Sequence, residues 1–225
     1  MIAWASTQKK LGIAADGIPG PVTYTALFRY MAAAAKPAIV SSLGIAATVH
    51  FPAYGISDTP ARLADFLAQT SNETGGYMAF VENLNYSADR MRAIWPSHFT
   101  AEQAAMAVGH PEEIASRAYG GRMGNAPYPS DDGYRFRGMG MLQLTGRANY
   151  EATNKRLGIG LDTNPEMAAV PALSLLIACD FYKHNGVLAA IDAGDTDKAR
   201  RVTNGGSIGL ANVNKLRARA LAVLS

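Results

Sequence analysis

A single cysteine, Cys179, stands among 225 residues. One thiol excludes a disulfide framework within the chain and leaves the protein compatible with a reducing cytosol. It lies in the apolar run Leu173 to Cys179, where it reads as a small buried hydrophobe. One thiol also cannot build a structural zinc site, and His50, His98, His110 and His184 show no metal-ligand spacing. No metal site is therefore expected, and His98, beside Pro96 and Phe99, reads as a packing residue. Long apolar runs are missing too, so stable membrane insertion is not expected. The opening residues Met1 to Lys10 carry their lysines after the apolar residues, unlike a secretory signal. Gly138-Met139-Gly140 lacks the third glycine and the following helix of a phosphate-binding loop. The aromatics do not alternate with a basic run, which argues against a nucleic-acid groove.

What is present is a chain that is 48% hydrophobic, enough for one ordinary domain with a small appendage. A net charge of +3 and a pI near 9.0 suit an anionic partner without choosing one. The patterning is mostly helical. Asp58-Thr59-Pro60 reads as a cap followed by proline at the first helical position, and Thr100 to Gln103 fits a capping box. Further helices are expected from Pro111 to Gly120, Pro171 to Asn185, Asp195 to Thr203 and Gly209 to Leu224. Tyr134 to Thr145 is the exception. Its apolar/basic alternation and its glycines predict an extended segment or short hairpin lining a substrate cleft. The fold class is mainly α. A small helical unit at 1–36 is expected to precede a catalytic domain at 37–225, with the boundary inside Ala32 to Pro37.

The chemistry concentrates in Ser71 to Tyr86. Glu73 follows an amphipathic segment, Pro60 to Thr70, whose Leu63, Phe66, Leu67 and Thr70 recur at helical spacing. Gly75-Gly76 then breaks the helix and would carry Glu82 back toward Glu73. Two acids on a firm support are what glycosidic cleavage needs, one to protonate the leaving oxygen and one to activate water or attack. Taken alone, the pair reads far more readily as two ordinary surface carboxylates.

Three blocks occur in order: Asn72-Glu-Thr-Gly-Gly-Tyr77, Glu82-Asn-Leu-Asn-Tyr-Ser-Ala88 and Arg137-Gly-Met-Gly-Met-Leu-Gln-Leu-Thr-Gly-Arg-Ala-Asn-Tyr150. Together they resemble glycoside hydrolase family 19, and its bacteriophage endolysin branch more closely than the plant chitinases. The resemblance implies a lysozyme/chitinase-like helical fold and an inverting mechanism without cofactor. Glu73 would be the general acid, protonated in a partly apolar setting, and Glu82 the general base. Thr145 would hold the attacking water with Glu82. Tyr86, Gln143, Asn149 and Asn204 would contact sugar. Asn204-Gly205-Gly206 reads equally as a helix C-cap. Asn72 stands where the family's chitinases carry histidine, and the nine-residue spacing of the two glutamates resembles that of the phage lysins.

Arg217 borders the apolar face of the last helix, where an arginine needs an anionic partner. A carboxylate of the cleft is the one expected, and Arg217 also matches the family's C-terminal cleft arginine. Lys198, Arg200, Arg201, Lys215 and Arg219 are left as a basic surface. Near the N-terminus, Asp16-Gly17-x-x-Gly20-x-x-Thr23 resembles the second half of a peptidoglycan-binding module. A helical hairpin that only packs on the main domain is the alternative. The expected substrate is the glycan strand of peptidoglycan, cut by a monomer made in the host cytoplasm and released to the wall through the inner membrane by another protein. A chitinase and a non-catalytic wall-binding protein are the competing readings.

Overall fold

Among the described residues, five α-helices begin on proline. Pro21, Pro37, Pro60, Pro111 and Pro171 sit in the first turn, where the missing N–H has no intrahelical partner to lose. The computed structural model describes residues 1–32 and 34–224. Ala33, inside the expected boundary stretch, and Ser225 lie outside the described residues.

The helices are α1 (Trp4–Lys10), α2 (Pro21–Met31), α3 (Pro37–Tyr54), α4 (Pro60–Glu73), α5 (Ala88–Ile94), α6 (Ala101–Ala107) and α7 (Pro111–Tyr119). They continue with α8 (Asp132–Arg135), α9 (Arg147–Leu157), α10 (Pro171–His184), α11 (Val187–Asp192), α12 (Thr196–Asn204) and α13 (Leu210–Leu224). A 3₁₀ turn occupies Pro165–Ala169. The capping box of Thr100 and Gln103 is formed, and Gly109, at φ 81°, follows the end of α6. The mainly α class holds. Extended pairing among the described residues is confined to the isolated bridges Val81↔Met139 and Met139↔Leu144.

The expected hairpin therefore needs correcting at its start. Tyr134 and Arg135 lie in α8, whose turn closes through their N–H groups donating to Asp131 O, both at 2.9 Å. The arginines that suggested alternation are engaged: Arg137 stacks over the Tyr134 ring at 4.2 Å and pairs with Glu166 at 2.9 Å. Period-two spacing lost here to a local turn and to cation–π contacts.

The chain forms two compact units. The larger comprises 1–80, 140–142 and 169–225, and the smaller 81–139 and 143–168. In the larger, edge-to-face or tilted ring contacts run from Trp4 through Tyr24, Phe51 and Phe66 to Tyr182, with centroids 5.6, 5.2, 5.1 and 5.0 Å apart. The N-terminal segment lies within this unit, and Tyr24, Leu27, Phe28 and Met31 of α2 belong to its apolar core. In the smaller unit, Leu84, Met91, Trp95, Phe99, Ala104 and Ile114 form a second core.

Helices α2 and α3 approach to the limit of their backbones at Gly44. A Cβ there would lie 2.1 Å from Thr25 Oγ1 and 2.6 Å from Thr25 N. Glycine inside a helix costs about 1 kcal/mol against alanine, so it is kept here for space. Gly44→Ala is accordingly expected to lower stability by roughly 1–3 kcal/mol in urea denaturation, despite its better helix propensity.

Candidate active-site residues

Helix α4 is set by its ends. The Thr59 hydroxyl accepts from Arg62 N–H at 3.2 Å, and Pro60 follows. At the other end Gly75 (φ 59°), Gly76 (φ 80°) and Tyr77 (φ 60°) form a left-handed run directly after Glu73. That conformation is strained for tyrosine. It is held by Tyr77 N–H donating to Thr74 Oγ1 at 2.8 Å and Tyr77 O–H donating to Leu67 O at 3.1 Å. The ring meets Phe28 edge-on at 5.1 Å. Glu73 is thus fixed as the last residue of a rigid helix.

Asp65, Gln69 and Glu73 recur every fourth residue of α4 and make a polar ladder along one face. Arg200 of α12, 1% exposed, donates from Nη1 to Glu73 Oε1 at 2.6 Å and to Gln69 Oε1 at 3.0 Å. Its Nε donates to Ile208 O at 2.9 Å. Gln69 Nε2 donates to Asp65 Oδ2 at 3.3 Å, and Tyr182 O–H donates to the same oxygen at 3.1 Å. Burial, then the charge of Asp65, push the Tyr182 hydroxyl well above the usual tyrosine range, so it acts as a donor. Asn72 Nδ2 donates to Glu73 Oε1 at 3.1 Å, and Asn204 Nδ2 reaches Glu73 Oε2 at 3.4 Å.

Several expectations change here. The Glu73 carboxyl lies in a cation-lined, polar setting rather than a partly apolar one. Arg200 is a buried partner of Glu73, not part of a basic surface. Arg217 does have an anionic partner, and it is Asp65: Arg217 Nε donates to Asp65 Oδ1 at 3.0 Å and Nη2 to the same oxygen. Arg219, though exposed, donates to Tyr30 O and stacks over that ring at 4.8 Å. The signal that could have found Arg200 is spacing. It stands four residues before Asn204, so both lie on one face of α12. Gly205, at φ 74°, caps that helix, so the C-cap reading holds beside the contact of Asn204 with Glu73.

In the smaller unit, Glu82 is pinned from two elements. Gly138 N–H donates to Glu82 Oε1 at 2.9 Å while Glu82 N–H donates to Gly138 O at 2.9 Å. Tyr119 O–H donates to Glu82 Oε2 at 2.8 Å. A Cβ on Gly138 would fall 2.8 Å from Gln143 Oε1, 3.3 Å from Thr145 Oγ1 and 3.5 Å from Glu82 Cβ. Glycine is what lets these three side chains converge. Thr145 Oγ1 donates to Gln143 O at 2.8 Å, and Asn149 Nδ2 donates to Thr145 O at 2.8 Å.

Asp132 accepts from Ala126 N–H and from Arg147 Nε, both at 2.9 Å. The Arg147 hydrogen bond is the main reason the Asp132 carboxyl lies below its ordinary range. The Tyr86 ring is edge-on to Trp95 at 5.2 Å, as Tyr119 is at 6.1 Å. A pocket of about 360 Å³ is lined by Glu82, Asn83, Asn85, Pro111, Tyr134 and Arg137 among others.

The N-terminal motif has a local task. Gln8, 1% exposed, donates to Asp16 Oδ1 at 2.7 Å and Thr23 Oγ1 at 3.0 Å, and accepts from Gly17 N–H at 2.8 Å. Gly20 is the N-cap residue of α2. These residues tie the turn to α1.

A family model described as Chitinase class I matches residues 29–186. A glycosyl hydrolase family 19 domain-containing protein of Haemophilus influenzae is 38% identical over 165 residues, covering 71% of this chain and 78% of its own length. The basic endochitinase of Vitis vinifera is 31% identical over 133 residues, covering 57% of this chain and 36% of its own. Chitinase C of Streptomyces griseus HUT6037 shares the fold, with a TM-score of 0.61 at 22% identity over 92% of this chain and 95% of that one.

Removing one partner of a buried ion pair strands the other. Arg200→Met keeps an unbranched apolar stem and loses the guanidinium. It is expected to cost about 3 kcal/mol and to lower the melting temperature by roughly 6–12 °C in calorimetry.

Proposed function

The chain belongs to glycoside hydrolase family 19, and from that premise we propose that it is an endolysin that hydrolyses β-1,4 bonds in the glycan strands of peptidoglycan. Glu73 is the general acid and Glu82 the general base, with inversion at the anomeric carbon. The observation that carries the assignment is the convergence of Glu82, Gln143 and Thr145 on Gly138. A carboxylate and an uncharged hydroxyl brought to one glycine can hold a water without adding a third charge.

On Glu73, Arg200 occupies Oε1 at 2.6 Å, so Oε2, which Asn204 reaches at 3.4 Å, carries the proton to the leaving oxygen. Gln143 and Asn204 then contact sugar, as do Tyr86 and Asn149. Arg217 acts through Asp65, at the far end of the α4 ladder. No cofactor takes part. The enzyme works as a monomer on the wall, after release through the inner membrane.

Peptidoglycan is favoured over chitin by Asn72, which replaces the histidine of the family's chitinases, and by the nine-residue spacing of Glu73 and Glu82, which resembles that of the phage lysins. The names of the plant and Streptomyces relatives favour the second reading, a chitinase acting on polymers of N-acetylglucosamine.

Reducing-end release from purified murein and from chitin oligomers, by wild type, Glu73→Gln and Glu82→Gln, separates these. Activity on murein that each substitution lowers by at least about a thousandfold supports the proposal, in line with losing groups that act only in the transition state. Cleavage of chitin alone would transfer the mechanism to the other polymer. Binding to murein without cleavage of either substrate would leave a wall-binding protein.

We also propose that the segment 1–36 adds affinity for the wall. It borders a groove of about 680 Å³ lined by Lys10, Ile13, Val22, Arg29, Tyr30 and Ile45 among others. Tyr24, Leu27 and Phe28 are buried, so substitution is a cleaner test than deletion. The Lys10→Glu/Arg29→Glu double variant is expected to pellet several-fold less with murein at low salt while its melting temperature holds. Unchanged pelleting would reject the groove.

A further inference from the structure

We propose that Tyr119 is a positioning residue for the reaction: it fixes the Glu82 carboxylate in the orientation from which it takes the proton of water. The inference rests on the reading of Glu82 as general base and adds to it a residue that none of the three sequence blocks contains.

Tyr119 is the last residue of α7, between the block ending at Ala88 and the one beginning at Arg137. Its hydroxyl lies 2.8 Å from Glu82 Oε2. A carboxylate only accepts hydrogen bonds, so the phenol is the donor. It stays a donor across the working range, because burial and, after it, the neighbouring charge of Glu82 hold the hydroxyl far above the usual tyrosine range.

Packing sets where that hydroxyl points. The Tyr119 ring meets Trp95 edge-on at 6.1 Å and 81°, and Trp95 is itself 8% exposed in the core of the smaller unit. The backbone is tied as well. Tyr119 O accepts from Asn125 Nδ2 at 3.0 Å.

The opposite oxygen of Glu82 is held by Gly138 N–H at 2.9 Å. Each carboxylate oxygen therefore has its own donor, one from a helix end and one from the Gly138 backbone. The terminal torsion of a glutamate is broad when left to itself. Two donors on different elements stop that rotation, and a carboxylate has about four acceptor sites, so others stay available for the proton. Gly138 N–H alone would fix one oxygen and leave the plane of the group to turn. Because Gln143 and Thr145 meet at the same Gly138, a turned carboxylate would lose its register with them.

Tyr119→Phe removes the O–H and keeps the ring against Trp95. It is measured on whichever polymer the wild type cuts, beside Glu82→Gln. The expected result is kcat lowered roughly tenfold or more with KM within about twofold, the size of a lost hydrogen bond to a charged group. The melting temperature should stay within about 2 °C of wild type, since the packing is kept. Full kcat in Tyr119→Phe while Glu82→Gln is inactive overturns this inference and leaves the general-base reading standing. A loss carried by KM or by the melting temperature instead shows a structural tyrosine and overturns it too. If Glu82→Gln itself keeps full kcat, the general-base reading fails first.

Discussion

The buried Arg200 is the constraint on which the larger unit's chemistry depends. A guanidinium that is 1% exposed has to be surrounded by acceptors, and Glu73, Gln69 and Ile208 O supply them. Meeting that demand ties the end of α4 and the Ile208 carbonyl to α12. The ladder continues to Asp65, where Arg217 and Tyr182 answer a buried carboxylate in the same way. Charges and amides alternate along α4, so each polar group is both satisfied and oriented. A network of this kind specifies geometry more than it adds stability.

The smaller unit solves the same problem without a cation on its carboxylate. Glu82 is held by a backbone N–H and a phenol. The result is two carboxyl environments of different character in one chain, one facing a permanent positive charge and one facing neutral donors.

Much of this was legible in the sequence where the cause is local. Proline starts, the Thr100 capping box and the Gly75-Gly76 break placed helix ends correctly because each is a property of a few adjacent residues. Glu73 at the end of α4 followed from them. Arg200 was legible only in its spacing from Asn204, and nothing local marked it as buried. Its burial is decided by acceptors on α4 and near Ile208, and α12 looks strongly amphipathic with basic residues that read as solvated. Asp65 and Gln69 were missed for a related reason. The apolar spacing of Leu63, Phe66 and Leu67 suggested one inner face, whereas everything from Leu63 to Ser71 is buried. Tyr134 and Arg135 failed differently, since a four-residue helix is too short to impose a period.

The order in which the chain is made gives the Arg200 pair a timetable. Glu73 and Arg200 are 127 residues apart. At ribosomal rates of about 5–20 residues per second, that is roughly 6–25 s of synthesis. Throughout that interval α4 can exist, but the groups that satisfy its polar ladder from α10, α12 and α13 have not all been made. The nascent larger unit must therefore keep Asp65, Gln69 and Glu73 hydrated, and the last quarter of the chain closes its core by displacing that water.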